Sequence, residues 1–158
     1  KIYLDFQRII LQLYNHGIIL SIVSKNDIED VKSVFDTHSA MILKLNHFAC
    51  IKVNWENKAD NILQIANELN ISLNSMVFID DSIFEINLVN EMLPEVKTIL
   101  FNKMTIFGEL NCFNLMREVD TCSVSLRNET YKTDKQRERL LSLSSRYVRI
   151  SAFLRSVS

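Results

Sequence analysis

Four apolar runs, each followed by a segment of helical spacing, constrain this chain more tightly than any other feature. Ile18 to Val23 is almost continuously apolar, Ala49 to Val53 and Met76 to Ile79 are shorter runs of the same kind, and Val96 to Phe101 is the last. Such runs suit strands covered on both faces, where no polar alternation is needed. The segments between them read as helices. Asp27, Glu29 and Asp30 are acids placed for a first helical turn. Ile62, Ile65, Ala66 and Leu69 follow the second run, Ile86, Leu88, Val89 and Met92 the third, and Phe107, Leu110 and Leu115 the fourth; Pro94 stops the middle one. A further helix, with Phe6, Ile9, Ile10 and Leu13 on one face, precedes the first run, and Gly17 stands where its backbone must turn left-handed. Strands alternating with amphipathic helices predict an α/β fold, a parallel sheet between two helix layers.

At 158 residues and 47% hydrophobic, the chain can bury one core and carry a short appendage. No apolar stretch approaches the roughly 18 residues of a membrane helix, so neither a membrane partner nor a leader is expected and the expected location is cytoplasmic. Cys50, Cys112 and Cys122 lack Cys-x-x-Cys spacing, which indicates neither a disulfide framework nor a zinc site. The net charge of -1 hides an asymmetry: from Arg117 onward nine basic residues face five acidic ones. Glu129, Asp134 and Glu138 interrupt that basic tail, the pattern of a solvated helix face, and nucleic acid is not expected as a partner.

In parallel sheets ligands sit beyond the carboxyl ends of the strands. That rule selects Ser24, Lys25 and Asn26 after the first strand, Asn54 and Trp55 after the second, and Asp80 and Asp81 after the third. Ser24 is either a hydroxyl donor to a phosphate or an ordinary helix cap. Lys58 lies at a helix start, where a cation is unfavourable unless an anion is near; otherwise its stem lies over Trp55. Asp80 and Asp81 are adjacent like charges ending an apolar strand, which fits a solvated turn or a site for a hard cation such as Mg²⁺.

Together, a hydroxyl at one strand end, a lysine at the next helix start and an acidic pair at a third strand end resemble motifs two, three and four of the haloacid dehalogenase (HAD) superfamily. The phrases Ser24-Lys25-Asn26-Asp27, Asn54-Trp55-Glu56-Asn57-Lys58-Ala59-Asp60-Asn61-Ile62 and Phe78-Ile79-Asp80-Asp81-Ser82, then Glu85 and Leu93-Pro94-Glu95-Val96, are similar to the FkbH-type proteins of glyceryl-carrier and methoxymalonyl-carrier biosynthesis. Ile83 and Ile86 depart from the proline and arginine usual there. The resemblance implies a Rossmann-like core with a minimal cap. It implies Mg²⁺ at Asp80 and Asp81, phosphate binding by Ser24, Lys25, Asn26 and Lys58, and catalytic roles for Ser24, Lys58 and Asp81. Its implied substrate is a phosphorylated small molecule, 1,3-bisphosphoglycerate, whose glyceryl unit passes to an acyl carrier protein.

The superfamily's first motif, Asp-x-Asp at the end of its first strand, occurs nowhere in this sequence. That strand lies between those carrying Ser24 and Asp80, so the resemblance implies a missing central strand, to be supplied from upstream or by another chain; direct pairing of the two flanking strands would refute this. The expected division is a HAD-like core over 1–118 and a basic helical linker, or the start of a second domain, over 119–158. A generic HAD phosphatase and a non-catalytic HAD-like binding domain are the alternative readings.

Overall fold

The computed structural model describes residues 1–111 and 149–152. Among them the elements run α1 (Ile2–Asn15), β1 (Ile19–Ser24), α2 (Ile28–Thr37), β2 (Phe48–Val53), α3 (Lys58–Glu68), β3 (Val77–Asp80), α4 (Ile83–Met92), β4 (Lys97–Leu100), α5 (Ile106–Asn111) and β5 (Arg149–Ala152). The strands form one sheet in the order β2-β1-β5-β3-β4, every neighbouring pair parallel.

All six residues of β1 are buried, as the unbroken apolar run requires, and successive side chains feed opposite layers. Leu20 and Ile22 pack with Phe6 and Ile10 of α1 and Phe35 of α2; Ile19 and Val23 pack with Ile62 and Ile65 of α3 and Val89 of α4. In β3, Val77 and Ile79 join the first layer and Phe78 the second. The sheet is thus filled from both sides, and its carboxyl edge is left to loops. At the end of α1, Gly17 adopts φ 87°, with its amide on the Tyr14 carbonyl at 2.9 Å and the Ile18 amide on Leu13 at 3.0 Å. This left-handed cap turns the chain into β1. Asn70, at φ 51°, closes α3 in the same way, with amides 70 and 71 returning to the Asn67 and Ala66 carbonyls.

The strands carrying Ser24 and Asp80 do not pair with each other, as expected, but the strand between them is not foreign. β5 fills the position from this same chain. Ile19, Leu20, Ser21 and Ile22 face Arg149, Ile150, Ser151 and Ala152, and Val77 and Phe78 face Ile150 and Ser151. A central slot lined by unsatisfied amides and carbonyls accepts any extended segment that can complete both ladders. Part of the tail expected to be a helical linker is therefore a sheet strand. The boundary at 118/119, Cys112, Cys122 and the remaining basic tail lie outside the described residues. Among those described, no helix is long and apolar enough to cross a membrane.

Proline at a central strand position removes a ladder donor and leaves a partner carbonyl unpaired, at about 1–3 kcal/mol. Ile150→Pro should lower the unfolding free energy obtained from urea titration by that amount, and an unchanged value would remove β5 from the middle of the sheet.

Candidate active site at the carboxyl ends of the strands

The pairing of β5 reaches only to Ile22 on one side and Phe78 on the other, so Val23, Ser24, Ile79 and Asp80 extend beyond it. Ser24 and Asp80 flank the carboxyl end of the central strand, about 10 Å apart at two strand spacings. Both are buried, at 7% and 2% exposure. The Asn54 amide binds the Ser24 carbonyl at 3.1 Å and the Phe101 amide binds that of Asp80 at 2.7 Å, so both strand ends are held by their outer neighbours.

Lys58 is the first residue of α3, and its side chain is 4% exposed. Its ammonium donates to Asp80 Oδ2 at 2.5 Å. The anion demanded by a cation at a helix N-terminus is thus Asp80, and Trp55, 69% exposed, is not its cover. Trp55 instead donates its indole N–H to Asp27 Oδ1 at 3.3 Å. Asn57, not Ser24, is a working cap: its side-chain oxygen accepts from the Ala59 amide. Ser24 is not a cap either, since the residue at the start of α2 is Asp27.

The acidic pair separates. Asp80 turns inward, its Oδ1 accepting from the Ser82 amide at 2.9 Å, whereas Asp81 is exposed. Of the two carboxylates, Asp80 is the one withdrawn from water. The compensating charge on Asp80 is Lys58. Asn26 uses Oδ1 to accept from the Asp27 amide at 2.8 Å, which leaves its NH₂ as the group that could meet an anion.

Two residues that stand in the quoted phrases without an assigned role also belong to this site. Asn61, fully buried, exchanges paired amide hydrogen bonds with Asn54 at 2.8 and 3.0 Å and so fixes the turn between β2 and α3. Glu85, on the first turn of α4, is 6% exposed and accepts from Lys25 at 2.7 Å through Oε1. Nothing local in the sequence marked Asn61 as the partner of Asn54 or Glu85 as the partner of Lys25.

Among the described residues no three His, Cys, Asp or Glu side chains come together as a ready metal-ligand set. Mg²⁺, however, is commonly held by one or two carboxylates, with water and phosphate oxygens completing its shell. Glu85 Oε2 is buried with no hydrogen-bond partner. That orphaned oxygen, at the same β3–α4 junction as Asp80 and Asp81, makes the local chemistry compatible with a divalent cation.

Cys50 lies mid-strand in β2, away from the carboxyl edge, opposite Ser21. Its thiol donates to Glu68 Oε2 at 3.2 Å, and burial, then that hydrogen bond and the Glu68 charge, push its pKa up to about 12. Lys52 also pairs with Glu68, which raises the lysine pKa. A thiol so suppressed is no thiolate nucleophile at neutral pH.

Searches against known proteins agree with this architecture. No family model matches the chain, and no curated protein does. Its structure is similar to the crystal structure of the N-terminal part of the protein BF1531 from Bacteroides fragilis, which contains a phosphatase domain complexed with Mg. The TM-score is 0.69 at 39% identity, covering 74% of this chain and 32% of that one. The fold is therefore that of a HAD-like phosphatase domain. This chain spans about a third of the length of that neighbour.

Lys58→Met would leave Asp80 buried without a partner and should cost about 3–5 kcal/mol of stability. Adding Asp80→Asn should recover most of that loss in a double-mutant cycle; a Lys58→Met protein as stable as the wild type would place the pair in solvent. For Cys50, alkylation by iodoacetamide should be slow at pH 7.5 and accelerate as pH rises, because only the thiolate reacts. Glu68→Gln should lower the Cys50 pKa and speed the reaction; an unchanged rate would remove Glu68 as one of its causes.

Proposed function

We propose that this chain forms the phosphate- and Mg²⁺-binding part of a HAD-like phosphatase. The observation that carries this reading is the buried Lys58–Asp80 pair beside Ser24 at the carboxyl edge of the sheet, supported by the likeness to a Mg-complexed phosphatase domain. Ser24 would donate its hydroxyl to a phosphoryl oxygen. Lys58 would place positive charge against the phosphoryl group while orienting Asp80, and Lys25 and the Asn26 amide would supply further donors. Asp80 would hold Mg²⁺, with Asp81 at the exposed rim and Glu85 Oε2 as a further acceptor for its shell. The ion, when bound, would neutralise clustered negative charge and polarise the phosphoryl oxygens.

The chemical step needs a nucleophile. In the HAD resemblance it is the first aspartate of Asp-x-Asp, absent from these 158 residues, and β5, with the sequence Arg149-Ile150-Ser151-Ala152, carries no carboxylate in the central position. The reading is thus of phosphate- and metal-binding residues without the Asp-x-Asp nucleophile, since β5 holds the strand position on which the resemblance places it. The finer proposal is the FkbH type, with 1,3-bisphosphoglycerate as substrate and an acyl carrier protein as acceptor; its support is the wording around Ser24, Asn54 to Ile62 and Asp80. Cys50 is a poor acyl relay for that transfer, because its thiol is held protonated.

Isothermal titration should detect Mg²⁺ binding by the protein, abolished in Asp80→Asn; undiminished binding in that variant would take Asp80 out of the metal site. The 158-residue chain should release no phosphate from p-nitrophenyl phosphate at any Mg²⁺ concentration. Measurable release would assign the attack to a group other than the Asp-x-Asp aspartate.

A further inference from the structure

The site contains a second lysine–carboxylate pair, Lys25–Glu85 at 2.7 Å, in which the resemblance assigns a role to the lysine alone. We propose that Glu85 is a positioning residue, which holds the Lys25 ammonium toward a phosphoryl group bound at the strand ends; this rests on reading the site as a phosphate site.

Three observations point the same way. First, Glu85 is diverted from its local role. In a Ser-x-x-Glu box the glutamate carboxylate returns to the amide of the capping serine. Here the Ser82 amide is taken by Asp80 Oδ1 at 2.9 Å, while Ser82 Oγ still accepts from the Glu85 amide at 3.4 Å. The Glu85 carboxylate is thereby free to reach Lys25, sixty residues away in sequence and on the far side of β5.

Second, the arrangement is a poor way to gain stability. Glu85 is buried with Oε2 unpaired, and an ion pair that leaves one carboxylate oxygen unsatisfied does not recover its desolvation cost. Third, the two lysines differ in access. The Lys58 side chain is 4% exposed and the Lys25 side chain 23%. An ammonium has three donors, and Glu85 Oε1 accepts from one of those of Lys25. Lys25 can therefore offer N–H groups to an incoming anion without leaving Glu85. A lysine already held in place loses less rotamer freedom on binding than one free in solvent.

The probe is inorganic phosphate, titrated calorimetrically in the presence of Mg²⁺, with a thermal melt of each variant. Glu85→Ala and Lys25→Met should each weaken phosphate binding about tenfold, the order expected for one charge-assisted hydrogen bond. The double variant should be no weaker than either single one, because both remove the same contact. Glu85→Gln keeps an oxygen acceptor for Lys25 and should lie between Glu85→Ala and the wild type. Unchanged phosphate affinity in Glu85→Ala, whatever its melting temperature, would make the pair purely structural and overturn the proposal. Tighter binding would overturn it too, since Glu85 would then compete with phosphate for Lys25. If Glu85→Ala does not fold, Glu85→Gln decides: wild-type affinity overturns the proposal and a severalfold loss supports it. Ser24→Ala separates the two levels. Weakened binding there with unchanged binding in the Glu85 variants would sink only the positioning role, whereas a wild-type protein without phosphate affinity would sink the phosphate site itself.

Discussion

An ammonium and a carboxylate withdrawn from water at the end of a parallel sheet hold their charges only as partners, and the Lys58–Asp80 pair meets that condition at 2.5 Å. Much of the site follows from it. Lys58 opens α3, so its position depends on the turn fixed by Asn54, Asn57 and Asn61. Asp80 closes β3, and its second oxygen receives the Ser82 amide that starts α4. The pair therefore joins two βα junctions, those after β2 and β3, across the intervening β1 and β5. Removing either charge disturbs both junctions, which is why a stability experiment on this pair also probes the geometry of the site.

The alternating architecture was legible because its signals are local and repeated. An unbroken apolar run such as Ile18 to Val23 can sit only where both faces are covered, and Gly17 marks a place where the backbone turns left-handed. The rule that ligands gather beyond the carboxyl ends of parallel strands then selected Ser24, Lys25, Asn26, Asn54, Trp55, Asp80 and Asp81, and Lys58 followed from its place at a helix start; the structure pairs Lys58 with Asp80 and Lys25 with Glu85 at that edge. Each observation depends on a few neighbouring residues, so no tertiary knowledge was needed.

What escaped the sequence was decided by partners far apart in the chain. The filling of the central slot by Arg149–Ala152 has no local signature, since any extended segment able to complete two ladders can occupy it. Asp80 and Asp81 look equivalent as neighbours, yet one is buried against Lys58 and the other is exposed. Glu85 meets Lys25, sixty residues away in sequence. In each case the deciding partner is remote in the chain.

Charge balance links these details to the proposed chemistry. Asp80, Asp81 and Glu85 set three negative charges against the two positive charges of Lys25 and Lys58, so the bare site carries one negative charge in excess. A phosphate dianion entering it alone would bring the total to minus three within a few ångströms, where the low local dielectric makes like charges costly. A divalent cation entering with the phosphate returns the total to minus one, the balance of the bare site. On the proposed reading, then, phosphate affinity itself should depend on Mg²⁺, before any bond is broken. The dependence would arise from the number of carboxylates gathered at the β3–α4 junction, since Lys58 is already committed to one of them and Lys25 to another.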